Sequence, residues 1–140
     1  MDWKLEVVLI PVSDVDRSKA FYTEKLGFRL DVDHRAGDAF RVVQMTPPGS
    51  ACSISIGIGI TEAEPGSVRG THLIVSDILA AHAHLVKNGV DPSEIQHFED
   101  GVPVPGPDPE ERDYGSFIFF GDPDGNTWTV QHVRQAEPGR

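Results

Sequence analysis

Apolar residues in this chain alternate with polar ones in short runs and follow a helical spacing in two longer stretches. VVLIPV (7–12), AFRVVQM (39–45), CSISIGI (52–58), THLIV (71–75), SFIFF (116–120) and NTWTVQHV (126–133) are rich in β-branched and aromatic residues and predict strands. Phe28 to Val32 and Ile95 to Phe98 predict two more. Helices are predicted from about Asp14 to Leu26 and from Asp77 to Asn88. Ser13 with Asp16 three residues on is placed to cap the first, and Asp14 and Asp77 favour the positive ends of the helix dipoles. Gly27 and Gly89 suit left-handed positions just past the helix ends. Two clusters, Thr46-Pro47-Pro48-Gly49-Ser50 and Asp122-Pro123-Asp124-Gly125-Asn126, predict hairpin turns.

The elements form two copies of one pattern. Val12-Ser13-Asp14 matches Val75-Ser76-Asp77, and each is preceded by a strand and followed by a helix, a glycine and more strands. The order is βαβββ twice, over modules 1–60 and 71–134 of a single domain 1–140, with residues 61–70 as linker. The segment from Glu99 to Gly115 breaks the symmetry. Its prolines at 103, 105, 107 and 109 preclude ladder pairing on this reading and predict a long irregular loop. Such a loop is a candidate lid, with Tyr114 closing on a ligand.

This duplication, with VSDVDRSKAFYTEKLGF near the start and DPDGN near the end, resembles the vicinal oxygen chelate superfamily. That group contains glyoxalase I, extradiol dioxygenases, fosfomycin-modifying enzymes and bleomycin-resistance proteins. The resemblance runs from about Leu5 to Val133. It implies an α+β fold whose two βαβββ modules curl into a cup-shaped, partly open mixed sheet, with helices outside and the ligand inside. It also implies a homodimer. In metal-dependent relatives four cup-facing positions carry His or Glu, and here the matching positions hold Val7, Ser55, Gly70 and Thr129. None is a good ligand for a divalent cation. No cofactor is therefore expected.

Composition narrows the partners. Among 140 residues there are 22 acidic and 12 basic ones, for a net charge of −10, which argues against a nucleic-acid partner and leaves room for a cationic ligand. No apolar run approaches the roughly 20 residues that span a bilayer, so no membrane partner is expected. The opening MDWKLEVVLIPV has no secretory pattern, and the single Cys52 excludes an internal disulfide framework; a cytoplasmic protein is expected. The terminal RQAEPGR reads as a frayed tail.

The candidate ligand-binding residues, taken from strand alternation, are Arg41, Gln44, Ser53, Ser55, His72, Tyr114, Phe119, Thr127, Thr129 and Gln131, with Phe117 as the alternative to Phe119. His72 is also the candidate catalytic residue, as a general base whose ordinary pKa lies near 6.5. Of the remaining histidines, His82 and His84 fall on different faces of a helix and His34 and His132 on the surface, while His97 ends a strand before the long loop. The reading that follows is a metal-independent small-molecule binder of drug-sequestering or sensor type. The alternative is a glyoxalase-like lyase or dioxygenase-type enzyme, using His72 as base or shifted metal ligands.

Overall fold

The computed structural model describes residues 1–134. RQAEPGR lies outside them, apart from Arg134. The elements are β1 (Val7–Leu9), α1 (Val15–Ala20), β2 (Arg29–Ala36), β3 (Phe40–Thr46), β4 (Ser53–Ile58), β5 (Thr71–Val75), α2 (Ile78–Lys87), β6 (Gln96–Glu99), β7 (Val102–Pro105), β8 (Ser116–Gly121) and β9 (Thr127–His132). They build two open mixed sheets, ordered β1-β4-β3-β2 and β5-β9-β8-β6-β7. In both, the strand before the helix runs parallel to the last strand of its sheet, and the remaining pairs are antiparallel. The α+β class expected from the sequence is observed, and the first module has the expected βαβββ order, while the second has one more strand, β7, than expected.

The chain divides into two compact units. One comprises residues 1–68 with 122–126, and the other 69–121 with 127–134. The second thus hands five residues of its β8–β9 turn to the first.

In the first unit, α1 covers a core of Ile10, Val15, Phe21, Tyr22, Phe28, Val43, Met45, Ile54 and Ile56, all buried. Its N-cap is Asp14, whose carboxylate accepts from Arg17 N at 3.1 Å. Ser13 does not cap, because its amide and hydroxyl are both spent on Asp124 at 3.1 and 2.5 Å. The predicted single helix is also modified, since after Ala20 the chain widens into a π-helical turn, Phe21–Lys25, closed by Leu26 N to Phe21 O at 3.1 Å. The widened turn carries two consecutive buried aromatics, Phe21 and Tyr22. Gly27 then takes φ +79°, and Phe28 N reaches back to Tyr22 O at 2.9 Å.

The five donated residues are held by polar contacts, buried at Asp122 and Asn126 and solvent-exposed where Asp124 meets Ser13 and Arg17. Asn126, fully buried, donates from Nδ2 to Pro11 O and to Asp122 Oδ2, both at 2.8 Å, and accepts from Val68 N at 3.1 Å. Tyr22 donates its hydroxyl to Asp122 Oδ2 at 2.7 Å. Arg17 and Ser13 meet Asp124, the guanidinium at 3.3 Å.

In the second unit, Ile78 and Leu85, seven apart on α2, are buried with Ile118, Phe120, Trp128 and Val130. Asp77 caps α2 through Ala80 N at 3.0 Å, and Gly89 takes φ +78°. His82 is half-buried and His84 exposed.

The segment after β6 departs from expectation. Val102–Pro105 pairs antiparallel with β6 through a turn at Asp100-Gly101. The prolines permit this because β7 is an edge strand with one neighbour, so only every second residue needs an N–H for the ladder. Pro103 and Pro105 occupy the alternate positions, which leaves the outer edge short of donors.

Removing the Asn126 side chain takes one donor from the buried Pro11 carbonyl, which keeps Gly66 N at 3.2 Å, and takes the side-chain acceptor from the half-buried Val68 amide. Asn126→Ala is expected to lower the unfolding free energy by about 2–4 kcal/mol and Tyr22→Phe by less, measured by urea denaturation. An unchanged midpoint for Asn126→Ala would contradict this role of the turn.

Candidate functional site

The register of the second sheet decides which side chains share a face. Trp128, Val130, Ile118 and Phe120 point to the α2 side and are buried. On the other face, β5, β9 and β8 align His72, Thr129 and Phe119 in one row. Ile74, Gln131 and Phe117 form the next, continued on β6 by Gln96. Phe98 stands beside this second row, its ring 4.9 Å from Phe117, which in turn is 5.3 Å from Phe119. The three rings form a stripe across β6 and β8, beside a strip of hydroxyl, amide and imidazole groups on β9 and β5.

This face is incompletely covered. Phe98 is 53% and Phe119 44% exposed, whereas Phe117 between them is buried. Water gains nothing from half-exposed phenyl rings, and covering them is favourable at about 25 cal/mol per Å². The backbone under Phe119 is held rigid, because Ser93 N donates to its carbonyl at 2.8 Å and its own amide donates to Ser93 Oγ at 2.9 Å. Thr127 lies one row further, with its hydroxyl accepting from Gly70 N at 2.8 Å.

The equivalent face of the first unit is polar in a different way. Gln44 lies opposite Ser55, which lies opposite Leu9, and Ser53 lies opposite Val7. Ser53 Oγ is 2.6 Å from Thr46 Oγ1, which also donates to the Asp31 carboxylate. That hydroxyl and Arg29 hold the Asp31 carboxyl below its usual range.

Arg41 turns the other way. It shares the buried helix-side face with Val43 and Met45, where its guanidinium grips Asp33 at 3.1 and 3.0 Å and Asp16 at 2.8 Å. Lys19 adds a contact to Asp33 at 2.8 Å. Arg41, chiefly through its hydrogen bonds, holds the Asp33 carboxyl far below the ordinary carboxylate value. A guanidinium saturated by two carboxylates has a structural task, so Arg41 leaves the set of ligand candidates.

The segment between β7 and β8 is tightly built. Asp108, buried, accepts from the amides of Glu110 and Arg112 at 3.1 and 3.2 Å and from the Arg112 guanidinium at 2.8 and 3.1 Å. Asp108 N donates to the buried Ser116 hydroxyl at 2.8 Å. Arg134 closes the outside, with its amide on Asp113 at 2.9 Å and its guanidinium on Glu111 O at 3.0 Å. Tyr114, at φ +62° and 39% exposed, donates its amide to His132 O at 2.7 Å.

The positions that resemblance assigns to metal ligands do not suit one. Val7 and Gly70 offer no side-chain lone pair, and Ser55 and Thr129 offer neutral hydroxyls. Among the described residues, no group of three His, Cys, Asp or Glu side chains comes close enough together to hold an ion. Nor does any helix of the described residues have the length and apolarity to cross a membrane.

Two site residues escaped sequence reasoning. Phe98 was recognisable as a strand residue, and alternation from His97 could have put it on the open face. Asp31 is displaced by an irregularity between Leu30 and Val32, which shifts the register in a way that no sequence pattern announced.

The chain belongs to the Glyoxalase/Bleomycin resistance protein/Dioxygenase superfamily, whose model matches residues 4–130. It is similar to TnmS3, an antibiotic binding protein from Streptomyces sp. CB03234, at 30% identity and a TM-score of 0.73, covering 94% of this chain and 96% of that one. It is also similar to a superfamily member from Sphaerobacter thermophilus DSM 20745, at 27% identity and TM-score 0.72, over 94% and 98% of the two chains. YetH of Bacillus subtilis (strain 168) is 26% identical over 131 residues, which is 91% of this chain and 97% of that protein.

Asp108→Ala should free the loop, with loss of amide exchange protection at Glu110 and Arg112 in NMR. In the wild type, Arg112 keeps the Asp108 carboxyl well below the usual range. Its contribution is therefore complete above about pH 4 and is lost only as acid carries the pH down through that depressed value. Loop protection that disappears near pH 5 would contradict this.

Proposed function

We propose that this protein binds a small, partly aromatic molecule on the open face of its second sheet, without a divalent metal, as a sequestering or sensing protein. The observation that carries the reading is the stripe Phe98–Phe117–Phe119, half-exposed at its two outer rings, beside His72, Thr129 and Gln131. Apolar rings supply affinity, and a few polar groups fix orientation. Thr129, Gln131 and His72 are the orienting groups. Thr127 has a hydroxyl hydrogen left to give. Gln44, Ser53 and Ser55 are the matching polar face of the first unit, and Tyr114 is kept as a contact. The antibiotic-binding description of TnmS3 supports a ligand of drug size. The net charge of −10 favours a cationic or neutral ligand over an anionic one. A homodimer in the cytoplasm completes the proposal, supported by the resemblance and the lone Cys52.

The poor donor set at Val7, Ser55, Gly70 and Thr129 supports the metal-free form. An enzymatic reading keeps one observation: His72 stands on the ligand face directly opposite Thr129. In that case it serves as the base of a lyase-like proton transfer.

A thermal-shift screen of aromatic antibiotics tests this reading. A ligand at about a hundred times its Kd stabilises the fold by about 2.7 kcal/mol. For a compound so found, Phe119→Ala should weaken binding about fivefold, the effect of losing an aromatic contact of about 1 kcal/mol. Affinity unchanged in Phe119→Ala, or turnover of the compound abolished by His72→Ala, would overturn the binder reading.

A further inference from the structure

His97 is buried, 5% exposed, on β6, and both of its ring nitrogens meet oxygen acceptors. Nδ1 lies 2.7 Å from the Gly106 carbonyl and Nε2 lies 3.0 Å from Glu99 Oε1. Neither a carbonyl nor an ionised carboxylate has a proton to give. A neutral imidazole therefore satisfies one of the two and turns a lone pair on the other. The doubly protonated ring satisfies both acceptors at once.

The two acceptors sit where they matter mechanically. Gly106 follows β7 directly, and Glu99 ends β6 at the turn into β7. The imidazole thus spans the hairpin from one end to the other. β7 has β6 as its one neighbour in the sheet, and its prolines leave few backbone donors to replace a lost contact. Phe98, the next residue, points to the opposite face and forms one border of the aromatic stripe.

We propose that His97 is a proton-operated positioning residue. As an imidazolium it pins the β6–β7 hairpin through Gly106 and Glu99, and so holds Phe98 against Phe117; on losing its proton it releases that border of the face. The second half of this statement rests on reading the face as the ligand site.

The charged groups around the ring agree with this state. Glu99 on its own strand is acidic. In the segment after β7, Asp108 is acidic and already paired with Arg112 at 2.8 Å. On β8 the residue opposite is Ser116, which is uncharged. The Gly106 carbonyl first, then Glu99, hold the imidazole pKa above its ordinary value. Because the folded pKa is raised, the stabilisation is fully present below about pH 6.5, where the unfolded histidine is charged too. It is lost as the pH rises through the higher folded value.

The test uses the whole chain, with NMR titration of the His97 ring and hydrogen exchange at Val104 and Gly106 from pH 5 to 9. The His97 midpoint should lie above 6.5. Protection at both amides, corrected for the intrinsic rate, should fall about tenfold across that midpoint. Glu99→Gln should move the midpoint down, and the loss of protection should move with it. A neutral fluorophore, N-phenyl-1-naphthylamine, then reports the face, and its affinity should fall severalfold through the same midpoint.

A midpoint at or below 6.5, or protection that ignores pH, overturns the proposal. Fluorophore binding that is present but pH-independent also overturns it, while leaving the ligand face intact. If the hairpin opens with pH but the fluorophore binds at no pH, the pinning role is supported and the ligand-face reading fails.

Discussion

The rest of the first unit depends on a partly buried polar clasp carried on five residues that arrive from far along the chain. Asp122, Asp124 and Asn126 meet Pro11, Ser13, Arg17, Tyr22 and Val68, across sequence separations as long as 115 residues. The clasp meets the end of β1, the start of α1 and the linker at once. At its centre Asp122, Asn126 and Tyr22 are desolvated, so each must be paired in the folded state, and the pairing is demanding in direction as hydrophobic contact is not. Asn126 donates to the Pro11 carbonyl and the Asp122 carboxylate while accepting from the Val68 amide, a set that the two donors and the acceptor of a primary amide match. The Asp-Pro-Asp-Gly-Asn sequence is therefore more than a turn.

With the chain's course set, the two sheets sort their residues by alternation. One face of each goes under a helix and becomes core, and the other is left to whatever the sequence placed there. In the second unit that remainder is a phenylalanine stripe and a polar strip, on strands whose backbone is already hydrogen-bonded. Rings of this kind beside neutral polar groups suit binding by surface burial. His72 is the one titratable group of the row it shares with Thr129 and Phe119.

The sequence made the architecture legible and the site only partly so. Helix starts, the glycines past the helix ends and period-two strands are local signals, and βαβββ order follows from them. Alternation also sets His72, Phe119, Thr129 and Gln131 on one face. What stayed hidden was non-local. The partner of Ser13 is Asp124, more than a hundred residues away, so the local capping pattern at Ser13 and Asp16 misled. Arg41 obeys alternation but sits on the helix side, because Asp16 and Asp33 converge there. The prolines after Val102 suggested an irregular loop, yet an edge strand tolerates proline at every second position. Phe98 could be put on the open face by alternation from His97, but its packing on Phe117 comes from the pairing of β6 with β8, which is non-local.

The central claim is that a small molecule is held by the second unit's open face through rings and neutral polar groups, with no divalent ion taking part. Isothermal titration of a ligand from the thermal-shift screen tests it most directly, on chelator-treated protein and on the same protein resupplied with Zn²⁺, Ni²⁺, Mn²⁺ or Fe²⁺. The account predicts one dissociation constant throughout and no bound metal at stoichiometric level. Binding that appears only on adding one of these ions would contradict it.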